Sequence, residues 1–411
     1  MSLPTNGRRL AILQLIRQAG QLTRREIAQR VGLSLSLVSR LTTDLLAQGL
    51  ISEVGRSESD GGRPPDLLAL APNAAYLVGL DIGGRHQRAI VVDLRGAIVA
   101  SLVEPTPLST EREAILDNLE QLIDRIIREA GLTRSAVMGV GLALRAIVDS
   151  TAGVVLGWPN TPAWSAAWTD FAVRDALAAR LPWERIAVDD TVRTLGVAEA
   201  QYGHGIHDQN FVFVLADTGI GMAIMLGGTP YLGPSHIAGE IGHIAFDAVS
   251  TLCDCGNTGC LETLSSTTAI LGQVRRRLAD SHIRTVLRRS DREPRIEEVI
   301  DAAATGDKLA YQLLTEAGEY FGSALAIVLN LLGPKLVVVG GKLADSNVYL
   351  DAAWRMMKLR TLDQASRDVR VVRSEQGELA GARGAASLVL DALFSSGSSN
   401  ILIHGMQPVP K

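Results

Sequence analysis

The chain has 411 residues, of which 47% are hydrophobic and 20% charged, with a formal net charge of −4. This balance excludes a mainly disordered, collagen-like or coiled-coil chain and supplies apolar material for two or three domains. No stretch approaches the roughly 18 uninterrupted apolar residues of a membrane span, the first nine residues lack the apolar run of a secretory signal, and three cysteines exclude a disulfide scaffold, so a cytoplasmic location is expected.

Charge is uneven along the chain. Residues 1–70 hold nine arginines and six acids, a net of +3, and the remainder carries a net of −7. A basic head on an acidic body suggests a nucleic-acid contact at the N-terminus. Leu10, Ile12, Leu13, Leu15 and Ile16 recur at helical spacing over 8–18. Thr23 with Glu26 three residues on forms a capping-box pattern, and a short helix with Ile27, Ala28 and Val31 inward should follow. Gly32 suits a tight turn, Ser34 caps the next helix, and Val38, Leu41, Leu45 and Leu46 form its buried stripe. Helix, short helix, glycine turn and helix make a helix-turn-helix.

The exposed face of the third helix carries Ser34, Ser36, Ser39, Arg40 and Thr43. Such side chains suit phosphates and base edges in a major groove. Arg24 and Arg25 open the helix that would cross the DNA backbone. Residues 50–70 are predicted as two strands around a wing tip, Gly61-Gly62-Arg63-Pro64-Pro65, whose Arg63 could enter a minor groove. The same pattern also suits a small domain that packs or binds protein; the polar face of the third helix favours DNA.

From Tyr76 the pattern becomes α/β. Strands are predicted at 77–82, 89–93, 97–102 and 137–144, with a long amphipathic helix at 114–130. A second set follows: a strand at 186–188, a helix at 191–202, strands at 211–215 and 222–226, helices from 265, and a strand at 336–339 ending in Gly340-Gly341. Interleaved strands and helices argue for two α/β lobes. Four segments are expected: a winged helix over 1–72, a first lobe over 73–190, a second lobe over 191–394, and a linker-like tail over 395–411. All three cysteines fall within eight residues, as Cys253, Cys255 and Cys260, and His243 precedes them by ten. One histidine and three thiolates complete a tetrahedral zinc set with no open position, so the zinc is expected to be structural.

These residues resemble the ROK family (repressors, open reading frames and sugar kinases). The resemblance rests on Gly239-Glu240-Ile241-Gly242-His243 followed by the Cys253–Cys260 string and Leu261-Glu262. The Gly-Gly-Arg-Pro wing, Asp81-x-Gly83-Gly84, Pro159-Asn160 with Trp164 behind it, Gly219-Ile220-Gly221 and Gly340-Gly341 also fit. The resemblance implies an actin-like (ribonuclease H-like, sugar kinase type) fold of two lobes around a cleft, preceded by the winged helix. It further implies a sugar pocket of Asn160, Asp189, Asp190, Glu240, His243 and Glu262, with Asp190 at the position of the catalytic base. Planar carboxylates and amides suit paired sugar hydroxyls, and a carboxylate beside the phosphoryl acceptor can take its proton. Glu240 and Glu262 equally suit a structural role around the zinc loop.

The implied nucleotide cleft comprises Asp81, Gly83, Gly84, Arg85, Thr218, Gly219, Gly221, Gly340 and Gly341. Here the chain departs from the kinase members. Arg85 replaces the usual threonine, Arg145-Ala146-Ile147 stands where Pro-Gly-Pro is common, Asp189 replaces asparagine, and Asp217 opens the phosphate turn. Arg85 and Arg145 are expected to face the cleft, binding an anion or locking the lobes against Asp189 or Asp217. The expectation is a sugar-responsive repressor that binds operator DNA as a homodimer or dimer of dimers. The alternative is an active, glucokinase-like sugar kinase using ATP and Mg²⁺; a third reading is a relic that binds DNA and senses nothing.

Overall fold

The computed structural model describes residues 5–57, 64–107, 111–157, 168–246, 251–289 and 292–394. The head contains α1 (Thr5–Ala19), β1 (Gln21–Thr23), α2 (Arg24–Val31), α3 (Leu35–Ala47), β2 (Ile51–Arg56) and β3 (Asp66–Leu70). Thr23 accepts the Glu26 backbone N–H while the Glu26 carboxylate accepts the Thr23 N–H, so the capping box forms. Gly32 closes α2 at φ 69°, a conformation that favours glycine. The three strands pair antiparallel in the order β1-β3-β2. The sequence pattern anticipated two of them; β1 is too short and too close to the α2 cap to show an alternation of its own. Gly61, Gly62 and Arg63 of the wing tip lie outside the described residues.

The first lobe runs through β4 (Tyr76–Ile82), β5 (His86–Asp93), β6 (Ile98–Pro105), α4 (Arg112–Glu129) and β7 (Val137–Leu144). The hairpin β8 (Ile147–Asp149) and β9 (Val154–Gly157) follows, then α5 (Val173–Ala178) and β10 (Ile186–Asp190); α6 (Thr191–Tyr202) leads on and packs Val197 and Ala200 against the second sheet. Its five-stranded sheet has the order β10-β7-β4-β5-β6, with β4, β7 and β10 parallel and the β4-β5-β6 meander antiparallel. The second lobe holds β11 (Phe211–Ala216), β12 (Ile220–Leu226), β13 (Thr229–Pro230), α7 (Leu261–Ser265), α8 (Thr267–Leu278), α9 (Ile296–Ala304) and α10 (Lys308–Leu332). It continues through β14 (Leu336–Gly340), α11 (Asn347–Arg360), α12 (Asp363–Ser366) and β15 (Arg370–Arg373). Its sheet, β13-β12-β11-β14-β15, repeats the plan of an antiparallel meander joined to parallel strands. Two such lobes make the actin-like fold.

The last helix, α13 (Ala380–Leu393), crosses back to the first lobe, which a linear division at residue 190 does not capture. It is rich in Ala and Gly because it lies unusually close to its neighbours. A Cβ on Gly141 of β7 would stand 1.9 Å from the Ala385 carbonyl oxygen, and one on Gly384 would stand 1.8 Å from that of Thr194 in α6. The outer surface of α13 meets the head. Leu10, Leu13 and Ile16 of α1 share one buried cluster with Ala386, Val389, Leu390 and Leu393 of α13 and with Leu77 and Ile90 of the first sheet. Head and body are therefore one packed unit.

Candidate functional site

The metal-binding candidates come together. The ligand atoms of His243, Cys253, Cys255 and Cys260 all lie within 4.8 Å of one another. Cys253 Sγ is 3.7 Å from His243 Nδ1, and Cys255 Sγ is 3.7 Å from Cys260 Sγ. A tetrahedral ion with metal–sulfur bonds of about 2.3 Å places its ligands roughly 3.6–3.8 Å apart. The donor set and spacing thus fit a zinc-like cation held through three sulfurs and Nδ1. Gly256 (φ 91°) and Gly259 (φ 70°) bend the chain around the cluster.

The loop also sets two carboxylates. His243 turns Nε2 toward Glu240, 3.9 Å from Oε2. The Glu240 side chain is 41% exposed and faces Asp190 closely enough for their charges to interact. Cys260 caps α7, whose Glu262 is buried and accepts the Ile220 backbone N–H at 3.0 Å.

Asp189 and Asp190 end β10 at the start of α6. Asp190 Oδ1 caps that helix, accepting the backbone N–H groups of Val192 (2.8 Å) and Arg193 (3.1 Å). Burial, opposed by Arg193 and reinforced by the Asp189 and Glu240 carboxylates, pushes the Asp190 carboxyl up to about 7. Asp189 Oδ1 accepts from Arg193 Nε at 2.6 Å and from the Asp190 N–H at 2.8 Å. The remaining Arg193 nitrogens donate to the carbonyls of His236 (3.0 Å) and Val148 (2.7 Å). Arg193 thereby ties β10, β8 and the loop carrying Glu240 into one wall. His236 adopts φ 58° and sets Nε2 3.4 Å from Asp149. Asn160, Trp158 and Trp164 lie outside the described residues.

The nucleotide-cleft candidates divide. Asp81 is buried, accepts from the Thr191 hydroxyl at 3.3 Å, and lies 3.6 Å from Arg88; burial pushes its carboxyl up. The Arg145 guanidinium donates to Thr218 Oγ1 at 2.8 Å and lies beside both Gly84 and Gly219. It therefore spans the glycine turns of the two lobes. Its partner is the Thr218 hydroxyl; neither Asp189 nor Asp217 serves. Asp217 is consumed locally, Oδ1 by the Thr218 N–H (2.6 Å) and Oδ2 by the Lys342 N–H (3.1 Å). Arg85 is exposed on its turn and forms no ion pair among the described residues. Gly221 packs against Val192, and Gly340 against the Phe213 ring. Gly341 takes φ 92° where a Cβ would stand 2.4 Å from the Ala216 oxygen.

In the head, Ser34 caps α3, and Ser36, Arg25, Arg40 and Thr43 are exposed; Ser39 is half-buried. Arg24 is engaged inside the domain, on Thr42 Oγ1 (3.2 Å), Glu53 (3.2 Å) and Asp66 (4.0 Å).

The sequence pattern of the ROK family matches residues 77–392, and that of a winged helix-turn-helix DNA-binding domain matches residues 5–52. The chain belongs to the ROK family. It is 26% identical over 392 residues to a putative xylose repressor from Caldicellulosiruptor sp. (strain Rt8B.4), covering 94% of this chain and 96% of that one. A solved ROK family transcriptional regulator, a homologue of the E. coli MLC protein, superposes with a TM-score of 0.82 at 26% identity, covering 97% of this chain and 98% of that one. A ROK family glucokinase from Streptomyces griseus, solved with glucose and AMPPNP, covers 76% of this chain and 99% of its own at 26% identity and a TM-score of 0.66.

Within this ROK domain, sequence reasoning missed Arg193, Thr191 and His236. Arg193 was findable, since it follows Asp189 by four residues on a predicted helix, the spacing of a facing ion pair. His236 carries no local signal; the fold alone brings it beside Asp149.

Proposed function

We propose that this chain is a sugar-responsive transcriptional regulator, acting as a repressor, whose effector binds beside the N-terminus of α6. The observation that carries this reading is the path of α6. Its first turn, capped by Asp190, stands in the cleft between the lobes. Its last turn reaches the head, where Arg17 of α1 donates to Gln201 (3.3 Å) and to Asp391 of α13 (2.6 Å), and Gln201 donates to Asp391 (2.8 Å). A ligand that prefers one position of α6 then biases the winged helix by differential binding to two conformations. The repressor and regulator names of full-length relatives support the same reading.

The sugar-facing groups are Asp190, Glu240, His243 and Glu262, with Asn160 completing the set and Asp189 acting through Arg193. The cluster of His243 with the three cysteines holds a structural zinc, since four protein ligands leave no open position, and the metal aims Glu240 and Glu262. A symmetric homodimer, or a dimer of dimers, presents two heads to two operator half-sites. Among the described residues no helix is long and apolar enough to cross a membrane. Two features support a sensor over a kinase. Arg145 occupies the space between the glycine turns, and Asp217 places a carboxylate on the Lys342 N–H beside Gly341, where a phosphate would be repelled.

The kinase reading has one observation in its favour: a carboxyl at Asp190 pushed up to about 7 suits a general base. One experiment separates the two. Purified, zinc-loaded protein is assayed for ATP consumption against hexoses, pentoses and amino sugars, and the same panel is tested for release of duplex DNA by fluorescence anisotropy. Sugar-dependent release without ATP turnover supports the regulator. Turnover above an Asp190→Ala background supports the kinase.

A further inference from the structure

We propose that Leu35 is a specificity-determining residue that reads the C5-methyl group of a thymine in the operator; this rests on the DNA-binding role of the head. Leu35 is the first residue of α3, immediately after the Ser34 cap. The buried stripe of that helix is Val38, Leu41, Thr42 and Leu45, yet Leu35, one turn ahead of it, is 52% exposed. Among the described residues of the head, only Leu35 and Val54 are large apolar side chains left exposed, and Val54 lies on β2 of the wing. Head packing therefore does not account for Leu35.

Its surroundings point to one occupant. In a helix-turn-helix, residues at the N-terminus of the second helix meet base edges in the major groove. The apolar group displayed there is the thymine methyl. Ser34 and Ser36 flank Leu35 with hydroxyls 3.2 Å apart. Arg25 on α2 and Arg40 on α3 are exposed as well and supply cations for phosphates. A protein partner would bury these hydroxyls and guanidinium groups; a DNA groove pairs them.

The test uses the full-length protein. A tight-binding duplex is first selected from a random library, and each thymine is then replaced singly by deoxyuridine, which removes only the methyl. Wild-type protein is expected to lose affinity about fourfold at one or two thymines per half-site, the worth of one buried methyl-sized group. Leu35→Ala is expected to bind thymine and deoxyuridine duplexes equally at those positions. The proposal is overturned if no thymine shows a methyl effect, or if the effect persists undiminished in Leu35→Ala. Failure to enrich any duplex overturns the DNA-binding reading itself and this inference with it.

Discussion

Replacing Asp189 with asparagine keeps the side-chain shape and removes its charge. Arg193 cannot lose its proton, so the variant leaves a buried guanidinium with neutral oxygen partners and without the carboxylate that pairs it directly, Asp190 and Glu240 being left as more distant charges. The two side chains are 4% and 5% exposed, and Oδ1 lies 2.6 Å from Nε. Removing one partner of a buried pair costs about 3–5 kcal/mol. The two carbonyl contacts that Arg193 keeps argue for the lower end, about 3 kcal/mol, or roughly a hundredfold in the folding equilibrium. In a unit of 150–250 residues this lowers Tm by roughly 6–12 °C. Urea unfolding followed by tryptophan fluorescence reports it, because Trp168 and Trp183 are buried in the first-lobe core. The paired replacement Asp189→Leu with Arg193→Met is expected to recover most of the loss, since well-packed apolar residues substitute for buried pairs. A loss below about 1 kcal/mol, the worth of a surface pair, refutes the reasoning. If that stable variant also loses sugar binding, Asp189 is a direct ligand and Arg193 is not its anchor.

The metal cluster should bind one zinc per chain by elemental analysis. Cys255→Ser should lower that content and weaken sugar binding together, through Glu240 and Glu262; normal sugar affinity in the metal-free protein would separate the two sites. The Asp190 carboxyl, near 7 in the folded protein and near the ordinary aspartate value of about 3.9 unfolded, makes the native state bind the extra proton between those pH values. Stability from this group is therefore present at low pH and lost as pH rises through about 7. The urea midpoint of wild type relative to Asp190→Asn, which keeps a good cap, should fall between pH 5 and 8; a constant difference would contradict it. Arg17→Ala removes the contacts with Gln201 and Asp391 and the stacking over Phe394 at 5.2 Å. It should leave DNA affinity without ligand nearly unchanged while reducing the sugar-induced change in that affinity by about five- to thirtyfold, the loss of about 1–2 kcal/mol of coupling. Unchanged coupling would exclude α1 from the path.

The parts legible in the sequence are those whose signal is local. The capping box at Thr23, the Ser34 cap and the extent of α6 follow from residues a few positions apart. The cluster of His243 with the three cysteines is legible because glycines separate cysteines at short spacing and one histidine lies close by. What stayed hidden depends on distant contacts. Gly384 reads as a weak point in a helix until Thr194 is seen against it. Arg145 reads as a departure from a turn pattern, and only the folded chain shows that its guanidinium reaches Thr218 in the other lobe. Arg24 looked available to DNA because Glu53 and Asp66, which hold it, come from the strands of the wing.

These hidden contacts share a consequence for function. A phosphotransfer cleft must open, admit a nucleotide between two glycine turns, and leave backbone N–H groups free for phosphates. In this chain Arg145 joins those turns, and Asp217 takes up the N–H groups of Thr218 in its own turn and of Lys342 after Gly341. The same molecule invests its close packing elsewhere. Gly141 and Gly384 let α13 approach β7 and α6 at backbone distance, and α13 carries the head on its other side. A shift of α6 cannot be absorbed by loose side chains at such a contact, because carbonyl oxygens meet glycine Cα atoms with no space between. On the proposed function, the movement passes to α13 and from there to α1. An α6 that carries Asp190 at one end and touches Arg17 at the other is thus placed to convert occupancy of the cleft into a displacement of the winged helix.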